Sequence, residues 1–539
     1  MRILGISCYY HDAAAALVVD GQLVAAAEEE RFSRVKHDSE YPRSAVEFCL
    51  ETAGITAGDL DYVVFYEKPF VKFERILMTM LTSYPRSWQS FARAMTTWMG
   101  DKLWVREHLR DELGIPREKI LFVDHHGSHA ASAFYPSRFQ EAAILTVDGV
   151  GEWTTASMAV GRGEKIQLLR EIRFPHSLGL LYSVFTAFLG FEVNEGEYKV
   201  MGMAPYGEPR YVDKVWKLID LAPDGSFRLN LEYFAYHYSR DTGYSPKFIE
   251  LFGPPRMPGL PFFTSSSGYP SYFGPKPSNY DELRRDNEHY ADVAASIQKV
   301  TEEVMLGMSR AVIRETGLKR LCLAGGVALN SVANGRILRE TGIEELFIQP
   351  AAGDGGGAIG AALYACHALL GQSRNGFVMD HAYWGRAYDD AAARSALDSR
   401  GLRFEYCDDE DRLVDAAVAD LTDGKVIGWY QGRFEWGPRA LGNRSILGDP
   451  RRAEMKDVVN TKIKFREPYR PFAPSVLAES AEEFFDLADS PRHDPARFML
   501  LVVPVKNDRV PAVTHVDGSA RLQTVFRDTN PLYYDLIRR

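Results

Sequence analysis

The sequence predicts an α/β protein built around two related lobes, and two observations carry that prediction. A pattern of strand, glycine-containing loop and hairpin occurs twice, about 140 residues apart. Strands coupled to glycine turns and helices then follow. In the first copy, Arg2-Ile-Leu-Gly-Ile-Ser-Cys8, Ala14-Ala-Ala-Leu-Val-Val19 and Leu23-Val-Ala-Ala-Ala27 are short apolar runs. The turn Asp20-Gly21 joins the last two. In the second copy, residues 144–147 precede Asp148-Gly149, and runs at 155–160 and 166–169 flank the turn Gly161-Arg-Gly163. Such duplication places two lobes across a cleft; two unrelated hairpins would leave the same local pattern.

A chain of 539 residues is too long for one hydrophobic core. With 46% hydrophobic and 25% charged residues it has an ordinary globular composition, so neither disorder nor a fibrous repeat is indicated. Cys8, Cys49, Cys322, Cys366 and Cys407 are odd in number, widely spaced and without a C-x-x-C pair, which argues against a disulfide scaffold or zinc ribbon. The N-terminal MRILGISCYYHD turns polar too early for a signal peptide, and no run reaches the length of a membrane span. A cytoplasmic protein is expected. The net charge of -10 disfavours bulk nucleic-acid binding.

Two further segments couple a strand, a glycine turn and a helix. Leu321-Cys-Leu-Ala-Gly-Gly-Val-Ala-Leu-Asn330 is one, and residues 346–349 running through Pro350-Ala-Ala-Gly-Asp-Gly-Gly-Gly357 into a helix over 358–370 form the other. A glycine turn at a helix start lets phosphate approach exposed backbone N–H groups, so both are candidate nucleotide loops. Neither is a Walker A or G-x-G-x-x-G motif, and ordinary helix starts have the same look. Residues 66–110 are aromatic and basic with helical periodicity, and 233–280 are rich in Tyr, Phe, Pro, Gly and Ser. The second insertion suits an acceptor-binding lid or a purely packing role.

The texture changes after Gly371-Gln-Ser-Arg-Asn-Gly376, and a boundary is placed there, giving domains over 1–375 and 376–539. Residues 433–470 hold ten Lys or Arg against five Asp or Glu. Their guanidinium groups sit among glycines, prolines and aromatics, which suits bidentate binding of a small polyanion better than a solvated face.

Three histidines fall in Val123-Asp-His-His-Gly-Ser-His129. If a helix starts near Asp124, His125 and His129 share one face and His126 points elsewhere. No Glu follows the first His, so this is not a zinc-protease motif. Asp148 and Asp354 follow strands and would enter the cleft. Two imidazoles with one or two carboxylates suit Fe(II), Zn(II) or Mn(II), although a histidine cluster is also found in plain polar loops.

Taken together these residues resemble the NodU/TobZ-type carbamoyltransferase family. The resemblance runs through residues 5–12, 28–36, 124–129, Asp148-Gly149, 195–205, both glycine loops, Gly437-Pro-Arg-Ala-Leu-Gly442, 466–474 and His515-Val-Asp-Gly518. It implies a duplicated actin-like (ASKHA, ribonuclease-H-like) TsaD-type domain followed by a YrdC-like α/β domain. It also implies a secondary-metabolite enzyme in which ATP and carbamoyl phosphate give carbamoyladenylate in the YrdC-like domain. The carbamoyl group then passes to the hydroxyl of a sugar or other small-molecule acceptor in the actin-like domain. Arg439, Arg444, Lys464, Arg470 and Arg521 would grip carbamoyl phosphate and ATP. His125, His129, Asp148 and Asp354 would hold the metal, Fe(II) or alternatively Zn or Mn, with Mg accompanying ATP. Gly149, Gly325, Gly326, Asn330, Gly353 and Gly355 would bind nucleotide in the actin-like domain. His11 would serve as the base and Lys36 would stabilise developing charge nearby. Where the family continues through a further strand and an Asn-Thr-Ser-Phe-Asn-like motif, this chain stops at Tyr534-Asp-Leu-Ile-Arg-Arg539. The expectation is either a truncated form or an impaired first half-reaction. Two other readings are open: an actin-like kinase of a sugar or small alcohol, for which the duplicated lobes alone speak, and a non-catalytic nucleotide-binding partner protein, for which the early C-terminus speaks. No nucleic acid or membrane partner is expected, and a homodimer is the default for an enzyme of this kind.

Overall fold

Two five-stranded sheets, each laid out to the same plan, carry the N-terminal two thirds of the chain in a computed structural model that describes residues 1–100, 102–239, 241–487 and 494–539. The first contains β1 (Arg2–Ser7), β2 (Ala14–Val19), β3 (Gln22–Glu28), β4 (Tyr62–Phe65) and β5 (Ile120–Phe122), in the order β3-β2-β1-β4-β5. The first three strands are antiparallel neighbours, and β4 and β5 add in parallel to β1. Asp20 and Gly21 both have positive φ, 50° and 78°, as a two-residue turn that matches strand twist requires.

The second sheet opens with β6 (Glu141–Val147), β7 (Thr154–Arg162) and β8 (Lys165–Arg173). After a small hairpin, β9 (Ile219–Leu221) and β10 (Phe227–Leu229), it is completed by β11 (Arg320–Ala324) and β12 (Glu345–Phe347). The order is β12-β11-β6-β7-β8, with β6, β7 and β8 antiparallel and β11 and β12 parallel to β6. Strand order and sense repeat those of the first sheet, so the duplication read from the sequence is a duplication of topology. The molecule is a mixed α/β protein.

One helix joins the lobes at the centre. Gly357–Tyr364 lies between β1 and the helix His125–Phe134, at separations no side chain would permit. A Cβ on Gly5 would stand 1.9 Å from the Ala358 carbonyl oxygen, and one on Gly360 would stand 1.9 Å from that of Ser128. This packing brings the end of β1, the start of the histidine helix and the loop carrying Asp354 to one point.

The first insertion forms the helices Pro69–Thr82, Trp88–Gly100 and Val105–Leu113. The second is mostly irregular around the short helix Pro246–Phe252, whose Phe248 and Phe252 pack edge-to-face on Phe185 in the core. That part of the insertion is a packing element. Towards the C-terminus, β13 (Ile427–Tyr430) pairs antiparallel with β14 (Arg444–Leu447). A three-stranded sheet follows, in which β15 (Ser475–Leu477) runs parallel and β16 (Leu501–Pro504) antiparallel to a central β17 (Ser519–Val525). This sheet joins the second lobe closely: Asn334 Nδ2 donates to the Leu500 carbonyl at 3.1 Å, and a Cβ on Gly335 would meet the Val502 oxygen at 2.3 Å. Among the described residues no helix is long and apolar enough to cross a membrane.

Candidate active site

The helix His125–Phe134 starts at Asp124, which has extended backbone and makes no side-chain cap. Its first amide is satisfied from elsewhere: His125 N–H donates to both oxygens of buried Glu152, at 3.0 and 3.1 Å, and Lys68 N–H donates to one of them at 2.8 Å. A carboxylate at this end also favours the helix dipole. With the first turn fixed, His125 and His129 project inward together and their Nε2 atoms lie 3.0 Å apart. Asp148 Oδ2 is 3.3 Å from His125 Nε2, and Asp354 Oδ1 is 3.5 and 3.4 Å from the two imidazoles. All four side chains are buried, and their ligand atoms lie within 4.8 Å of one another.

This arrangement fits a cation. Two imidazole nitrogens and two carboxylate oxygens converge, while the opposite Nδ1 atoms of His125 and His129 are buried without hydrogen bonds. Asp148 is aimed by its second oxygen, which accepts Gly326 N–H at 2.7 Å. Burial would raise Asp148, but the hydrogen bond from His125 and the charge of His129 hold it well below the carboxylate range. Burial likewise opposes charge on His125, and Asp354 and Asp148 override it, so its pKa stands well above the ordinary imidazole value. The donor set is the mixed N/O type that divalent transition metals take. His126 points away, as expected, with Nδ1 2.6 Å from Thr146 Oγ1.

His11 follows β1 and meets the same cluster from the other side, its Nε2 3.6 Å from Asp354 Oδ2. Its Nδ1 is 2.8 Å from Asp12 Oδ2, and the other oxygen of Asp12 is 2.6 Å from His37 Nδ1. Burial lowers His11, but Asp354 and Asp12 raise it to about 9. Two carboxylates flank the ring and favour its protonated form. Lys36 stands at the rim, half exposed, 3.2 Å from Glu195 Oε2 and not on the cluster. Tyr9, Asp12, Arg34 and His37 all hold positive φ, so this corner of the cleft is strained as functional corners often are. The sequence reading missed Asp12 as the partner of His11 and His37 as the partner of Asp12, although both adjoin residues it had singled out.

The glycine loops depart from expectation. Gly325 N–H donates to the Ala352 carbonyl at 2.8 Å and Gly326 N–H to Asp148, so these amides are committed within the protein and do not present themselves to phosphate. Gly325 is required by its φ of 91° and by the Val147 oxygen, which a Cβ would meet at 2.3 Å. Asn330 caps the helix Ser331–Glu340 through Ala333 N–H and pairs with Gln298. Gly149 lies beside Asp148 with its carbonyl accepting from Ser177, and Gly353 and Gly355 flank Asp354. At Gly353 nothing lies within 4 Å of an added Cβ.

A second polar site lies in the C-terminal part. Burial and the nearby Arg470 bring Arg439 and Arg466 down to about 10. Burial, then Arg439, Arg466 and Arg470, push Arg521 far below its usual value. Four guanidinium groups thus crowd together, and the Nε atoms of Arg439 and Arg521 are buried without a hydrogen bond. Lys464 stands beside them, lowered by burial and by Arg466 and Arg470. Guanidinium groups grouped in this way suit bidentate binding of an anion. Arg466 was quoted within a motif but not singled out; its Nε donates to Asn460 Oδ1 at 2.7 Å. Arg444 is different: its N–H groups go to the carbonyls of Gln431, Asn443 and Gly432 and its plane stacks on Tyr430 at 3.6 Å, so it braces the β13–β14 hairpin rather than facing an anion.

Residues 2–363 match the family described as Carbamoyltransferase N-terminus, and residues 418–539 match Carbamoyltransferase C-terminus. An uncharacterized protein, sll1178, of Synechocystis sp. is 47% identical over 100% of this chain and 88% of its own length. Nodulation protein NolNO of Sinorhizobium fredii is 40% identical, over 98% of this chain and 72% of its own. Among solved structures, HypF of T. kodakarensis aligns at 14% identity with a TM-score of 0.33, covering 70% of this chain and 49% of that one.

Proposed function

We propose, since this chain belongs to the carbamoyltransferase family, that it joins carbamoyl phosphate to ATP and moves the carbamoyl group onto the hydroxyl of a small-molecule acceptor. The observation that carries this reading is the presence of two dissimilar sites in one chain: a half-buried arginine cluster and a buried His/Asp cluster. A single-step kinase has no use for the first.

The C-terminal part, from about residue 376, acts in this reading as a YrdC-like unit. Arg439, Arg466, Arg470 and Arg521, with Lys464 at the edge, hold the phosphates of carbamoyl phosphate and ATP. Water cleaves carbamoyl phosphate to carbamate and orthophosphate, a carbamate oxygen attacks the α-phosphorus of ATP, and pyrophosphate leaves as carbamoyladenylate forms. The actin-like N-terminal unit receives the adenylate beside the His/Asp cluster, near Gly353 and Gly355. There the acceptor hydroxyl attacks the carbamoyl carbon, the bond to the adenylate phosphate breaks, and AMP leaves. In its neutral form His11 would take the hydroxyl proton. Asp12 fixes its Nδ1, and Asp354 and Asp12 favour the imidazolium that results. His125, His129, Asp148 and Asp354 would hold Fe(II), Zn(II) or Mn(II), which supplies positive charge against the adenylate phosphate and carbonyl.

Incubation with ATP, carbamoyl phosphate and Mg(II) but no acceptor, followed by pyrophosphate release and mass detection of carbamoyladenylate, tests the first half. Adduct formation that is lost in Arg521→Gln supports the assignment. Release of pyrophosphate without carbamoyl phosphate, or no adduct in metal-replete protein, overturns it.

A further inference from the structure

The inserted helix Pro69–Thr82 is turned inside out. Lys72 and Arg75 are buried on its inner face, 5% and 8% exposed, whereas Phe70, Met78 and Leu81 are 67%, 45% and 55% exposed. Charged side chains are almost never enclosed without a partner. The partner of Lys72 is Glu67, two residues beyond β4 and itself buried, with Lys72 Nζ 2.6 Å from Oε2. Enclosed ion pairs contribute little net stability, because desolvation offsets the attraction. This one therefore calls for another role.

The same oxygen supplies it. Glu67 Oε2 also faces Nδ1 of His125 at 3.7 Å. His125 turns Nε2 towards His129, Asp148 and Asp354, which leaves Nδ1 enclosed and without a hydrogen bond. Glu67 meets the ring on the side opposite the ligand cluster, so it cannot be a fifth ligand to the same ion. Imidazoles that bind metals almost always pass their other ring N–H to a carboxylate, a backbone carbonyl or water, which fixes tautomer and ring orientation. We propose that Glu67 is the positioning residue for His125, and that Lys72, delivered by the insertion, holds Glu67 in place. The insertion thereby reaches the centre of the enzyme. Its Lys72 Nζ also lies 4.7 Å from the Tyr10 ring, beside His11.

This inference rests on the metal reading of His125, His129, Asp148 and Asp354, and Co(II) titration of the full-length, chelator-stripped protein separates the two. Wild type should bind Co(II) with a visible ligand-field band, and His129→Ala should lose it. Glu67→Gln should bind about 10–100-fold more weakly with a shifted band, and Glu67→Asp should recover part of the affinity. Because Glu67→Gln leaves Lys72 buried without its partner and can fail to fold, the double variant Glu67→Gln/Lys72→Met removes both charges. It should unfold at a temperature near that of wild type and still bind Co(II) about 10–100-fold more weakly. Wild-type affinity and spectrum in the folded double variant would overturn the role of Glu67 and leave the metal site standing. A wild-type protein with no Co(II) band dependent on His129 would overturn both.

Discussion

His126 sits one residue from a ligand candidate, yet its Nδ1 is committed to Thr146 Oγ1 at 2.6 Å, and that hydroxyl meets Ser157 Oγ at 2.6 Å. Burial and the neighbouring His125 and His129 keep its pKa well below the usual value, so it is a neutral core histidine. Two substitutions three residues apart should then behave in opposite ways. His126→Ala should cost about 1–3 kcal/mol of stability, from a lost buried hydrogen bond, while bound metal measured by elemental analysis stays unchanged. His129→Ala should cost the metal itself, falling from one equivalent to none. The four-residue spacing of His125 and His129 was legible in the sequence because both residues lie on one helix. Glu67, Glu152, Asp12 and His37 were not, since their contacts depend on where separate strands and helices end in space, and no local periodicity records that.

At the scale of elements, the same limit governs the glycines. A glycine that lets phosphate approach and one that lets another backbone approach both need the Cβ absent, so a sequence cannot tell them apart. The three antiparallel strands of each lobe, and β11 and β12, were readable from apolar runs and turns, whereas β4 and β5 were not read, and the glycine runs were read as phosphate loops and proved in part to be packing devices. Gly356 is an example, since a Cβ there would lie 2.0 Å from Gln349 Nε2, and in the helix that follows a Cβ on Gly360 would lie 1.9 Å from the Ser128 oxygen. Gly360→Ala should force the helix Gly357–Tyr364 away from the histidine helix. The expected destabilisation is about 1–3 kcal/mol or more, with weaker metal retention because His125 and His129 move with their helix. Gly428→Ala, where nothing lies within 4 Å, is the matched control and should change stability by no more than about 0.5 kcal/mol. Equal melting temperatures for the two variants would show that the close helix crossing does not position the site.

Across the whole molecule, the arginine cluster belongs to the C-terminal part but is held by the N-terminal one. Gly437 N–H donates to Glu28 Oε1 at 3.0 Å, the Gly437 carbonyl accepts from Arg31, and Trp436 Nε1 donates to Gln349 at 3.1 Å. These contacts fix the loop that carries Arg439. On the other side Lys199 pairs with Glu467 at 2.8 Å, and Arg470 lies over Tyr198 at 4.7 Å. Arg31→Ala should therefore weaken the phosphate response of the C-terminal site while metal binding in the cleft persists. The cluster also makes a claim about stability. Without an anion, Arg521 is a half-buried cation with its Nε enclosed and three other guanidinium groups nearby, and its depressed pKa means that the fold disfavours its charge. Arg521→Gln should accordingly raise the melting temperature of the anion-free protein. Inorganic phosphate or pyrophosphate should stabilise wild type by about 2.7 kcal/mol at a hundredfold excess over its dissociation constant, and this response should vanish in the variant. Thermal unfolding with and without the anion reads both effects. A variant that melts lower than wild type in the absence of anion, yet keeps the full anion response, would mean that Arg521 braces β17 and that the charge repulsion is relieved by other residues.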